Sequence, residues 1–309
     1  MNHSFFKKQE PLLFYGITPP RLNTLPEKRI DIKRKRMDRI QKLPLDGLII
    51  YDVQDESIRN QAERPFPYLP TIDALIYGNE DLKDLTCPKI IYKPVSGLTR
   101  AEFENWLQSE GLSKNLYVFV GAQSGNQSLN LRLEDAYRVL SEVKPDILFG
   151  GVSIPERHAS KGNEHERVFK KSKSGCEFFI SQCVYHTELA KNYLSDYYYF
   201  CQTKGLEMKR QIFTLTPCGN LNTLNFMKWL GIHIPKWLEN DLTHAKDILE
   251  LSILECVHIA EELTVFCKTK QIPFGFNIES VSNKKEEIEA SVSLVFQIRK
   301  LLDTVESTR

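Results

Sequence analysis

Short apolar runs alternate with longer charged, helix-like segments along the whole chain. Eight runs read as strands: "LLFYGI" (12–17), "GLIIYD" (47–52), "KIIYK" (89–93), "LYVFVG" (116–121), "DILFGGVS" (146–153), "CEFFISQ" (176–182), "QIFTLT" (211–216) and "PFGFNI" (273–278). Between them, helical spacing marks the regions near 131–143, 161–174, 186–200 and 245–270, and "KKEEIEASVSLVFQIRKLLD" closes the chain. The segment "TRAEFENWLQSEG" carries Thr99 as an N-cap and Gly111 as a stop. Eight strand–helix units in 309 residues predict an α/β chain folded as a single (β/α)8 TIM barrel over 1–309. A doubly wound open sheet is the alternative, weakened because no GxGxxG follows the first strand. No internal repeat, low-complexity segment or linker divides the chain.

Composition narrows the function classes. Hydrophobic residues make up 41% and charged residues 26%, as in a globular protein, and the net charge of +1 provides no field toward nucleic acid or membrane. The run "EKRIDIKRKRMDRIQK" is locally basic. Ile30, Met37 and Ile40 give it an apolar side, so it reads as an amphipathic helix with a solvated basic face, an anion-binding patch being the alternative. Seven cysteines without CxxC spacing argue against a disulfide framework or a zinc site and for a reducing compartment. No metal is expected, and Cys183 and Cys218 read as packing residues. The N-terminus lacks a signal-like apolar core, and no stretch approaches the roughly 18 apolar residues of a membrane span, so a cytoplasmic location is expected.

Barrel chemistry sits at the C-terminal ends of strands. Here those ends read "TPPR" (18–21), "YDVQDE" (51–56), "YKPVSG" (92–97), "GAQSGNQ" (121–127), "SIPERH" (153–158), "SQCVYH" (181–186), "TPCGN" (216–220) and "NIESVS" (277–282). They are rich in polar residues, proline and glycine, as a lined pocket requires. Tyr51 and Asp52 are candidates to reach it. No GxSxG, P-loop, HExxH or Cys/His ligand spacing is present.

A collinear set of short motifs resembles the methylenetetrahydrofolate reductase family, a group of flavin-dependent barrels. The set comprises Pro19-Pro20-Arg21, Ile154-Pro155-Glu156-Arg157-His158, Lys170-Lys171 followed by Ser174-Gly175-Cys176, Ser181-Gln182, and Ile234-Pro235-Lys236-Trp237, in an order that spans nearly the whole chain. The resemblance implies reduction of 5,10-methylenetetrahydrofolate to 5-methyltetrahydrofolate by NADH or NADPH through bound FAD. It implies that Ile154, His158, Glu164, Arg167, Lys170 and Lys171 hold the flavin, that Gln182 holds the pterin ring, and that Leu221 stands where a substrate-stacking phenylalanine belongs. Without the resemblance, Lys170 and Lys171 read as a solvated helix face, His158 as a capping or satisfied histidine, and Gln182 as a partner for rim backbone.

The departures fall on the chemistry. Aligned on the double proline, the family's strand-one glutamate is Gly16, and the strand-four aspartate is lost in Val120-Gly121-Ala122. A strand-eight arginine has no counterpart, though Glu279 sits nearby. Asp52, Glu156 and Glu279 are the candidate replacement acids. Three readings follow: a flavin-dependent reductase, a flavin-free relative in which nicotinamide gives hydride directly to folate, or a non-catalytic folate-binding barrel or partner subunit. The partner expected in each is a tetrahydrofolate-type small molecule, not nucleic acid or membrane, with homo-oligomerisation open.

Overall fold

The computed structural model describes Phe6 and residues 10–55, 62–121 and 130–306. Ala122, most of the strand-four end and part of the polar segment after strand two lie outside the described residues, as does half of the N-terminal stretch read for a signal. Eight parallel strands close in sequence order into a barrel. They are β1 (Leu12–Ile17), β2 (Gly47–Ile50), β3 (Lys89–Pro94), β4 (Leu116–Val120), β5 (Phe149–Ser153), β6 (Phe178–Cys183), β7 (Arg210–Leu215) and β8 (Phe274–Glu279). Closure is made by β1 pairing in register with β8, Leu12 through Gly16 lying against Gly275 through Glu279. The strands are apolar runs because both faces are covered, one by the lumen and one by helices.

The helical layer comprises α1 (Pro26–Ile40), the short α2 (Ala74–Ile76), α3 (Arg100–Trp106), α4 (Leu133–Val143), α5 (Pro155–Lys161), α6 (Glu164–Lys173), α7 (Thr187–Thr203), α8 (Leu221–Trp229), α9 (Lys236–His244), α10 (Ile248–Thr269) and α11 (Lys285–Glu306). Thr99 and Glu102 form the reciprocal capping box that starts α3. Proline at the first position of α5 fixes the helical φ where its missing N–H costs nothing, so "PERH" is a helical turn rather than strand end. Strand five correspondingly begins at Phe149, not at 146. On α1, Met37 and Ile40 are buried but Ile30 is exposed. Several basic residues of α1 are held by neighbours: Arg29 pairs with Asp81, Lys35 with Asp31, and Arg36 donates to the Tyr77 hydroxyl. That is the solvated-face reading, with a narrower apolar stripe than the spacing implied.

The lumen is filled by Leu12, Phe14, Ile49, Ile90, Leu116, Val118, Phe178, Ile180 and Ile212. Phe6 closes its N-terminal end, with its ring stacked 4.1 Å from Phe178. Arg210, 1% exposed, ties this plug down by donating to the carbonyls of Phe6, Glu10 and Phe274. Burial pulls its guanidinium down to about 10. At the other end, Tyr51, Tyr92, Val120, Val152 and Glu279 keep partial exposure, so the barrel opens at its C-terminal mouth. All seven cysteines are free, six of them buried. Among the described residues no helix is long and apolar enough to cross a membrane.

Candidate active site at the barrel mouth

Polar groups of the mouth gather around Gly16, the position where the motif resemblance would put an acid. Gly16 pairs in register with Glu279 on β8. A Cβ on Gly16 would lie 2.8 Å from the Tyr51 ring, 3.1 Å from Glu279 Cβ and 3.2 Å from Asn277 Oδ1. The glycine therefore clears the space that Glu279 and Tyr51 occupy. A carboxyl group therefore stands one strand across from the glycine.

Glu279 is embedded in a polar network. Cys183 Sγ donates to its Oε1 at 3.3 Å, and Asn277 Nδ2 lies 3.4 Å from its Oε2. Asn277 Nδ2 also donates to the Tyr51 hydroxyl at 2.8 Å. A register shift in β6 between Ile180 and Cys183 turns the Cys183 thiol toward Glu279, as bulges re-aim side chains. Burial raises the Glu279 carboxyl above its usual range, opposed by those hydrogen bonds. Tyr51 and Tyr92, rings 4.7 Å apart, are pushed well up by burial and then by Glu279 beside them. A carboxyl group with a raised pKa, ringed by two phenols, an amide and a thiol, is placed to exchange a proton with a ligand at the mouth.

The other two candidate acids stand differently. Glu156, in the first turn of α5, is raised by burial to about 7, and its Oε2 is buried without a partner. Its charge, like that of Glu279, pushes the Cys183 thiol up. Asp52 accepts from Gln54 at 2.7 Å, and Lys93 holds down a carboxyl that burial raises. Lys93 itself pairs with Asp73 at 3.5 Å and lies over the Trp106 ring, so Asp52 belongs to a rim ion cluster.

Of the residues that the resemblance assigns to a flavin, His158, Glu164 and Lys171 bond within the helical layer, while Arg167 and Lys170 are exposed. His158 is 6% exposed and bonds Asp196 on α7 at 2.9 Å, with its ring against His165 and Tyr193. Glu164 is fully buried; it accepts from the Ile154 amide at 3.0 Å and from Arg157 at 3.2 Å, with Arg167 3.5 Å away. Lys171 donates to the Val152 carbonyl at 2.5 Å, and burial lowers its pKa. Lys170 faces solvent. These side chains join α5 and α6 to β5 and α7. A nitrogen of each of His158 and His165 and an oxygen of Asp196 lie within 4.8 Å of one another, close enough for a metal ion. The sequence spacing of these three on α5, α6 and α7 gave no sign of that.

Gln182 donates from Nε2 to the Leu230 carbonyl at 3.0 Å, so it ties β6 to the end of α8. Leu221 opens α8 and is 48% exposed. Pro20 accepts from the Ile72 amide, and Arg21 bridges Thr71, so the double-proline segment anchors the loop that precedes α2. Trp237, in the first turn of α9, is 56% exposed. Gly219 admits Glu287 from α11, whose carboxylate accepts from Asn220 and Thr223 at the start of α8. Tyr92, Asn277 and Cys183 were not singled out for chemistry from the sequence. Their shared signal is inward-facing placement at strand ends, visible once the barrel register is known.

No protein-family model matches the chain, and no curated protein matches it. Among solved structures, an uncharacterized protein from Clostridium thermocellum that binds two copies of 5-methyl-5,6,7,8-tetrahydrofolic acid is 46% identical, over 96% of this chain and 98% of that one, with a TM-score of 0.86. An endo-1,4-beta-xylanase from Caldicellulosiruptor owensensis (8% identity, 89% and 86% covered, TM-score 0.48) is too distant to carry an argument. The same holds for dihydropteroate synthase from Thermus thermophilus (10% identity, 98% and 96% covered, TM-score 0.47). At 46% identity over nearly the full length of both proteins, the chain belongs to the family of that Clostridium thermocellum protein.

Proposed function

We propose that this protein binds a reduced folate at the C-terminal mouth of its barrel and reduces the ligand's methylene bridge to a methyl group. The observation that carries the ligand is the 46% identical relative that binds 5-methyltetrahydrofolic acid. Glu279 beside Gly16 supports the chemistry, because it restores an acid next to the position where the methylenetetrahydrofolate reductase motif has lost one.

In this reading the pterin end enters between Tyr51, Tyr92 and Glu279. Glu279 gives its proton to the ring nitrogen as the carbon–nitrogen bond of the methylene bridge opens. NADH or NADPH is the co-substrate that supplies hydride to the freed carbon, leaving a methyl group and an oxidised nicotinamide. Glu279 then takes a proton from solvent through the open mouth. Asn277 and Cys183 hold the carboxyl in place, and Tyr51 keeps its hydroxyl protonated as a donor. The burial of His158, Glu164 and Lys171 favours direct transfer without FAD over the flavin-dependent alternative.

A spectrum of the purified protein, with titration of 5-methyltetrahydrofolate, tests the reading. A colourless protein that binds the folate and oxidises NADH or NADPH only with methylenetetrahydrofolate present is expected. A yellow protein with bound flavin restores the flavoenzyme reading. Folate binding without turnover, with or without added FAD, leaves a binding protein.

A further inference from the structure

The segment between β2 and β3 carries a cation that the mouth chemistry leaves unused. In the closed barrel, β2 and β7 are separated by β1 and β8. Residues 62–72 nevertheless touch the elements that follow both β7 and β1. On one side, Trp229 Nε1 of α8 donates to the Ala62 carbonyl at 2.9 Å, and Phe66 meets Phe226 edge-on at 5.3 Å. On the other, the Leu22 amide donates to Pro70 O at 2.8 Å and the Ile72 amide to Pro20 O at 2.9 Å. The segment thus joins α8, which follows β7, to the loop after β1, and these lie on either side of β8, the strand that terminates in Glu279.

Arg64 lies within that segment. Its guanidinium carbon sits 5.2 Å from the centre of the Trp229 ring, 5.5 Å from Phe226 and 5.6 Å from Tyr68. Nε and Nη1 are both buried with no hydrogen-bond partner. Among the described residues no carboxylate pairs with it. A guanidinium cannot shed its charge, and buried N–H donors left open are costly, so the arrangement calls for an acceptor from outside. The aromatic rings fix the guanidinium plane and exclude water from its faces, which leaves the donor edge for a planar, two-oxygen anion.

We propose that Arg64 anchors a carboxylate of the folate's glutamyl tail while the pterin end occupies the mouth beside Glu279. This rests on the folate reading above. It adds that the tail leaves the barrel over the end of β8, under residues 62–70, and that the chain selects folates over pterins lacking the tail. Three rings around the guanidinium, with no counter-ion among the described residues, make it a ligand site instead of a structural ion pair.

Calorimetric titration of wild type, Arg64→Gln and Arg64→Lys with 5-methyltetrahydrofolate and with a tetrahydropterin lacking the benzoylglutamate tests the anchor. Wild type is expected to prefer the tailed ligand. Arg64→Gln is expected to lose about 10- to 100-fold in affinity for it, the range of a charge-assisted pair, with the tail-less ligand unchanged. Arg64→Lys, which keeps the charge and loses the fork, should fall between and shows whether a loss follows from charge or from misfolding. Equal binding of the tailed ligand by all three proteins overturns the anchor, as does an equal loss of both ligands in Arg64→Gln. Wild-type protein that binds neither ligand removes the folate reading itself, and the anchor with it. Wild-type binding of both ligands alike removes the anchor and leaves the mouth site standing.

Discussion

Gly16 and Glu279 are neighbours across the seam where the barrel closes, and the glycine leaves room for the glutamate and Tyr51. The sequence exposes the glycine at the acid position and a glutamate near the end of the last strand. It does not reveal that they are neighbours, because that pairing exists only when the first strand closes on the eighth. The clearance at Gly16 gives a direct prediction. Gly16→Ala forces a Cβ to 2.8 Å from the Tyr51 ring and is expected to cost about 1–3 kcal/mol in denaturant unfolding, the usual penalty of overpacking. An unchanged midpoint would mean that the Tyr51–Glu279 arrangement gives way easily. Glu156 makes a second prediction. Its folded-state pKa is raised from 4.5 to about 7, so the stability it contributes is complete below about pH 4.5 and is lost as pH rises through about 7. Allowing for its partial exposure, wild type should lose about 1–2 kcal/mol relative to Glu156→Gln between pH 5 and pH 8. Parallel stability curves for the two proteins would place the Glu156 carboxyl in ordinary solvent.

At the scale of elements, α5 and α6 decide what the most recognisable motif is for. The residues of "SIPERH" and the following basic helix were legible as types and spacing, and their helical neighbours were not. His158 finds Asp196 from α7, a partner 38 positions along the chain, and Lys171 finds the carbonyl of Val152. Each satisfies a buried polar group in the layer between β5 and the helices, the bland alternative to ligand contact. If that is their role, Lys171→Met should lower stability by about 1–3 kcal/mol through the lost carbonyl partner. Folate affinity should stay within a few-fold of wild type. A variant of normal stability that fails to bind nucleotide or folate would return this helix to the site. The apolar stripe of α1 was over-read for the same reason. Periodicity placed Ile30 with Met37 and Ile40, but only the C-terminal half of the helix meets the barrel.

The whole molecule was the most legible level, since eight doubly covered strands leave continuous apolar runs separated by helices, and that order favours the barrel over an open sheet. The strand ends also marked the C-terminal face as the mouth; how the opposite end is sealed was not visible in them. Phe6 and Arg210 seal the N-terminal end, and at the mouth residues 62–72 join α8 to the loop after β1. The proposed function brings a reduced folate to Glu279 at that mouth. The most direct test of their meeting is methylenetetrahydrofolate-dependent oxidation of NADH or NADPH by flavin-free protein, wild type against Glu279→Gln. Loss of about 10²- to 10⁴-fold in turnover with 5-methyltetrahydrofolate affinity kept within a few-fold is the predicted result, the usual share of a positioned proton donor. Equal turnover in the two proteins would contradict it.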